Sequence, residues 1–288
     1  MAVTLIEPAQ RELAAGFAVR RALPAAARRA VGPFVFFDHF GPVALERAES
    51  SDVRPHPHIG LATVTWLFEG EIMHRDSLGT VQPIRPGEVN WMSSGDGIVH
   101  SERAPESRRG RPSRSHGLQA WLALPRGRED DAPSFLHVPA DRVPVLDEAG
   151  ARFAIVAGDA WGRVSPVPVP SRTLYAVGTL AAGAELALPG GHAERAVYVV
   201  EGAATLDGVS VPAGTLAAVD AADPARLRAD ADARIAVIGG EPLDGPRFVW
   251  WNFVASSRER IEDAKARWRD DRFPAIEGET ERIPLPER

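Results

Sequence analysis

The chain has 288 residues, 44% of them hydrophobic and 25% charged, enough for two domains of roughly 100–150 residues each and without an apolar run near the ~18 residues of a membrane span. A net charge of −6 argues against direct, nonspecific binding to nucleic acid. The absence of cysteine excludes disulfides, thiolate metal sites and a cysteine nucleophile.

In chain order, the opening stretch is interrupted by Glu7, Gln10, Arg11 and Glu12 before it can form the apolar core of a signal peptide, so a cytoplasmic protein is expected. The 26 glycines and 25 prolines then cut the chain into short β-branched or aromatic runs: Leu61–Phe68, Leu118–Leu124, Phe153–Val156, Ala196–Val200 and Ile235–Ile238. Recurring short strands predict an all-β sandwich or barrel. Glu69-Gly70 ahead of Arg85-Pro86-Gly87, and Glu201-Gly202 ahead of Val211-Pro212-Ala213-Gly214, form a weak internal repeat that fits two copies of one barrel. The Arg-, Asp- and Pro-rich segment Arg126–Pro144 lacks periodicity and is expected to link them, dividing the chain into 1–135 and 136–288. At the end, Ser256 and Glu259 have capping-box spacing, and Ile261, Ala264 and Trp268 recur at helical spacing until Pro274. One amphipathic helix is predicted there, counted with the second domain and packed outside its barrel.

The strongest local signal is Arg54-Pro55-His56-Pro57-His58, joined at a distance by His100-Ser101-Glu102. Residues two apart on a strand share a face, so each pair can aim two ligand atoms into one interior. If the strands are neighbours, His56, His58, His100 and Glu102 converge. Three imidazoles and one carboxylate suit Fe(II), Mn(II), Ni(II), Zn(II) or Cu(II) better than Mg or Ca, and a six-coordinate metal would keep two positions for water, substrate or dioxygen. One H-x-H alone is a common surface pattern; the second pair tips the balance toward a site. Pro57 cannot donate to a ladder, which fits a strand start or edge.

Several stretches carry a family resemblance: Val31–Pro42, Arg54–Thr63, His74–Gly79, Pro86–Glu102 and Trp250–Val254. On these the chain resembles the pirin family. The resemblance implies a bicupin, two tandem cupin β-barrels, with the four residues above as metal ligands and iron as the usual metal. It also implies quercetin 2,3-dioxygenase activity in some members and transcriptional co-regulation in others. The second barrel departs from the metal pattern: His192 and Glu194 stand at its first-pair position, but Thr215–Asp220 supplies no histidine, so that barrel is expected to be structural.

The remaining candidates read as structural. His39 among aromatics suits a hydrogen-bonded core or turn position. His74 and Arg75 are candidates for groups behind the ligands, ranked below a turn role. His116 has no spacing argument, and His137 falls in the linker. Arg103, Arg108, Arg109, Arg111 and Arg114 read first as a solvated loop, with a positively charged rim for an anionic substrate as the alternative. Gly95-Asp96-Gly97 lacks the residues that complete a phosphate loop.

The expected activity is ring-opening dioxygenation of a flavonol-like substrate by a monomeric enzyme, with Glu102 as ligand and proton acceptor in turn. The competing classes are a metal- and redox-sensing protein that meets a protein partner without turnover, and a metal-dependent isomerase or sugar-modifying cupin.

Overall fold

The computed structural model describes residues 2–14, 17–219 and 225–287. Among them strands dominate, and the α-helix is Arg258–Arg269. No helix among the described residues is long and apolar enough to cross a membrane.

The chain forms two compact units. One is Glu12–Val19, Phe40–His137 and Asp244–Arg288; the other is Met1–Arg11, Arg20–His39 and Val138–Leu243. The all-β expectation holds, and each unit pairs a large sheet with a four-stranded one in a jelly-roll-like manner instead of closing a barrel.

In the first unit the large sheet runs through Ser134–Val138, Val89–Ser93, Leu61–Glu69 and Ser113–Ala123, with the Phe40–Leu45 part of the strand Phe34–Leu45 alongside. The small sheet is Val53–His58, Ile98–Arg103, Ile72–Asp76 and Val81–Ile84. In the second unit the small sheet has the same wiring, Glu185–Ala187, Arg226–Ala229, Ala203–Leu206 and Val209–Pro212. The repeat seen in the sequence lies in the turns. Gly70 and Gly202 have φ of +101° and +82°, and a Cβ there would fall 2.7 Å from the Arg114 carbonyl and 2.2 Å from that of Asp232. Only glycine fits both the conformation and the approach.

Three expectations are corrected. The helix belongs with 40–137, because Ile261, Ala264 and Trp268 bury against Ile59, Val99, Phe253 and Phe273. Its cap is Ser257, whose hydroxyl accepts the Arg260 N–H, one residue later than the capping-box spacing implied. Ser256 instead gives its N–H and hydroxyl to the buried carboxylate of Glu129, both at 2.7 Å, which ties the helix entry to the turn after Arg126–Arg128. The segment Arg126–Pro144 is also more than a linker, since Ser134–Val138 is a sheet strand. Its single strand is too short to show a period when flanked by proline and charge. Asp220, which closes the histidine-free stretch of the second repeat, lies outside the described residues.

Candidate metal centre

The site is built from two neighbouring strands of the small sheet. Val53–His58 and Ile98–Arg103 pair antiparallel with His100 opposite His56 and Ile98 opposite His58. Alternation puts His56 and His58 on one face and brings His100 onto it from across the ladder. All three are buried, and one nitrogen from each lies within 4.8 Å of the others. His58 Nε2 and His100 Nε2 are 3.1 Å apart. Two metal–nitrogen bonds of about 2.1 Å at a right angle place their nitrogens about 3 Å apart, so this spacing fits a shared cation.

The hydrogen bonds behind the rings point the same way. His56 Nδ1 donates to the Arg54 carbonyl at 2.8 Å, and His58 Nδ1 donates to the Asn252 carbonyl at 3.0 Å. A neutral ring that donates at Nδ1 keeps its lone pair at Nε2. Burial, the largest effect, pushes His56 down to about 4 despite the opposing Arg54 carbonyl, and it pushes His58 and His100 well below the ordinary imidazole value. The triad is therefore neutral at physiological pH, the form that binds metal. Asn252 was missed in the sequence because it acts through its main chain. It follows Trp251, whose φ of +52° turns the hairpin between Phe248–Trp250 and Phe253–Ala255. No side-chain pattern reports a carbonyl.

Glu102 stands outside the triad. The ladder slips between His100 and Glu102, which pair with His56 and Val53, so an extra residue in the facing strand separates the acid from the imidazoles. Its Oε1 is 3.5 Å from the Thr65 hydroxyl, while that hydroxyl donates to Gln119 Oε1 at 2.6 Å. Thr65 has one proton and the shorter contact takes it. Burial raises the Glu102 pKa above the usual carboxylate range. Glu102, Gln119 and Ser115 line a small, mainly apolar cleft of about 70 Å³ with Phe40, Val53 and Ile72.

The turn role expected for His74 is overturned: it lies on Ile72–Asp76, with Nδ1 3.4 Å from His100 Nδ1 and Nε2 2.9 Å from Asp76 Oδ2. Arg75 alternates to the other face, opposite Ser101. His137 Nδ1 donates to Asn90 Oδ1 at 2.8 Å from its strand. His116 packs on Phe68, and His39 hydrogen-bonds Tyr198 at 2.9 Å within its aromatic surroundings. Gly95 and Gly97 are packed turn positions, where a Cβ would meet Asp131 O at 1.8 Å and the Phe273 ring at 2.7 Å.

The basic rim is largely neutralised. Arg103 pairs with Glu279, Glu281 and Asp52, Arg109 with Asp52, and Arg114 with Glu69. In the other unit, His192 Nε2 faces the Asp159 carbonyl at 3.2 Å, and Glu194 accepts the Gly32 N–H and pairs with Arg28. His192 Nε2 also lies 3.5 Å from Asp159 Oδ2, and the cluster found among the described residues that could share a cation is His56, His58 and His100.

Residues 16–122 match the family model for pirin, and 175–274 match that for the pirin C-terminal cupin domain. A pirin-like protein of Caulobacter vibrioides is 45% identical over 99% of this chain and all of its own length. A crystal structure of a quercetin 2,3-dioxygenase from Acinetobacter baumannii superposes with a TM-score of 0.90 at 32% identity, covering 99% of this chain and 96% of that one. A bacterial pirin of Escherichia coli in complex with nickel(II) shares the fold, with a TM-score of 0.67 at 18% identity over 84% of this chain and all of that one.

Proposed function

Because the chain belongs to the pirin family of the cupin superfamily, we propose that it is a cytoplasmic, iron-dependent dioxygenase of flavonol-like substrates. The observation that carries this reading is the triad His56, His58 and His100, neutral and buried, with one nitrogen of each within 4.8 Å of the others. The donor set fits a borderline-soft divalent cation; Mn, Ni, Zn and Cu compete with iron for it, and supply decides between them. Fe(II) held there would supply Lewis-acid binding of a substrate oxygen and one-electron chemistry toward dioxygen.

The chain's own residues account for the rest. Phe40, Val53 and Ile72 beside Glu102 give a flat aromatic substrate an apolar surface to lie against at the cleft. Glu102 takes the proton of the substrate hydroxyl. Its raised pKa brings it toward the pH at which it works, and Thr65 leaves its oxygen free by donating to Gln119. Completing the four-ligand set expected from the sequence would require the Glu102 side chain to turn toward the triad. We therefore assign Glu102 first as base and second as ligand.

The test is to load the purified chain with Fe(II) without oxygen, add quercetin in air, and follow oxygen uptake and loss of the flavonol band beside Glu102→Ala. Turnover in the parent and loss of at least about 100-fold in the variant support the assignment. A loaded parent that consumes neither substrate overturns it. That outcome would favour a metal- and redox-sensing role with a protein partner, for which the relevant contact is Arg103. This residue, next to Glu102, joins the strand of His100 to Glu279 and Glu281 near the C-terminus.

A further inference from the structure

We propose that His74 and Asp76 form a positioning relay on His100, holding its Nε2 toward the shared cation and increasing its strength as a donor. The inference rests on the metal reading above and extends it to two residues beyond the ligands. His56 and His58 each give Nδ1–H to a main-chain carbonyl, of Arg54 and Asn252. His100 faces a side chain instead, with its Nδ1 3.4 Å from His74 Nδ1.

Proton accounting then sets the direction. Asp76 Oδ1 accepts the N–H groups of Leu78 and Thr80 at 2.9 and 3.0 Å, and Oδ2 lies 2.9 Å from His74 Nε2. A carboxylate so engaged has no proton to offer, so His74 Nε2 is the donor. With its Nε2–H committed to Asp76, His74 presents Nδ1 as acceptor, and the proton between the two rings comes from His100 Nδ1. The tautomer left to His100 has its lone pair at Nε2, the atom 3.1 Å from His58 Nε2.

The fold keeps this chain of groups in line. The Ile72–Asp76 and Ile98–Arg103 strands pair with Asp76 opposite His100 and His74 opposite Glu102, so all four side chains emerge on one face. Phe135 stacks on His74 at 4.5 Å, fixing the ring plane. His74, Asp76 and His100 are all buried, and water does not compete for these bonds. A carboxylate behind a ligating imidazole raises its basicity, and a more basic ligand favours the higher oxidation state of a metal. A carbonyl dipole does this less than a full charge, so His100 is the ligand through which the protein tunes the ion.

The experiment uses the full chain with Asp76→Asn and His74→Phe, the second retaining an aromatic ring against Phe135. Zn(II) affinity is measured by competition with a chelator, the Fe(III)/Fe(II) midpoint by redox titration with an EPR readout, and integrity by thermal unfolding of the metal-free protein. Both variants are expected to bind Zn(II) about 10- to 100-fold more weakly and to shift the iron midpoint upward while unfolding cooperatively without metal. Parent-like affinity and midpoint in both variants overturn the relay. Weaker binding with an unshifted midpoint and a matching loss of metal-free stability also overturns it, leaving a packing role. A parent that binds no cation overturns the metal reading, and the relay with it.

Discussion

The two small sheets are wired alike, yet one lines its interior with chemistry and the other with hydrocarbon. In the strands Val53–His58 and Ile98–Arg103 the inward positions are His56, His58 and His100. In their counterparts, Glu185–Ala187 and Arg226–Ala229, inward positions go to Leu186, Leu227 and Ala229, which pack with Leu188, Leu206 and Val211 in a continuous apolar core. The second unit can stand on burial alone. Imidazoles buried as a cluster contribute little apolar area and must be kept neutral and hydrogen-bonded. The first unit offsets this with the aromatic layer outside its small sheet, where Trp268, Phe253 and Phe273 pack over Ile59 and Val99.

The sharpest way to break this contrast is to remove one ligand from each side. His56→Ala should abolish stoichiometric metal binding measured by elemental analysis after gel filtration, whereas His192→Ala should leave one metal per chain; retention of the metal after His56→Ala would sink the site. Next comes the aromatic layer: Trp268→Ala is expected to cost about 3–5 kcal/mol, read from denaturant unfolding as an early transition of the unit that holds the triad. If only the other unit's transition moves, the helix has been assigned to the wrong core.

Acid should separate the units again. Burial holds His56 near 4 against an ordinary value of 6.5, so the folded chain refuses a proton that the unfolded chain accepts. Stability is therefore complete above about pH 6.5 and is lost as pH falls toward about 4, on the order of 3 kcal/mol for this ring, with His58 and His100 acting in the same direction. Thermal melts of the metal-free protein across that window should show it, and His56→Phe should make the dependence shallower, with His58 and His100 carrying the remainder. The smallest effect is at the helix entry: Ser257→Ala should cost about 1 kcal/mol in chemical unfolding, as loss of an N-cap does.

How far the sequence reached can be followed residue by residue. His56, His58 and His100 were legible because strand alternation is a local rule, and two spaced pairs obey it wherever the strands lie. Ile261, Ala264 and Trp268 were legible for the same reason at helical period. Glu102 was read as a fourth equal ligand because nothing in His-Ser-Glu reveals a slip in the partner strand; the bulge belongs to the pairing. His74 was read as a turn residue because its relation to His100 runs through a neighbour 26 positions away. Phe135 and His137 fell in an apparent linker because one five-residue strand shows too few repeats to announce itself.

By itself, then, the sequence determined the all-β class, the repeated turns and the imidazoles that face inward, all of which follow from periodicity and local backbone geometry. Tertiary structure alone decided which core the C-terminal helix covers, which carbonyl holds His58, where Glu102 stands and what lies behind His100. These are contacts between segments far apart in the chain, and their energies depend on register, burial and neighbouring charge that no local pattern encodes.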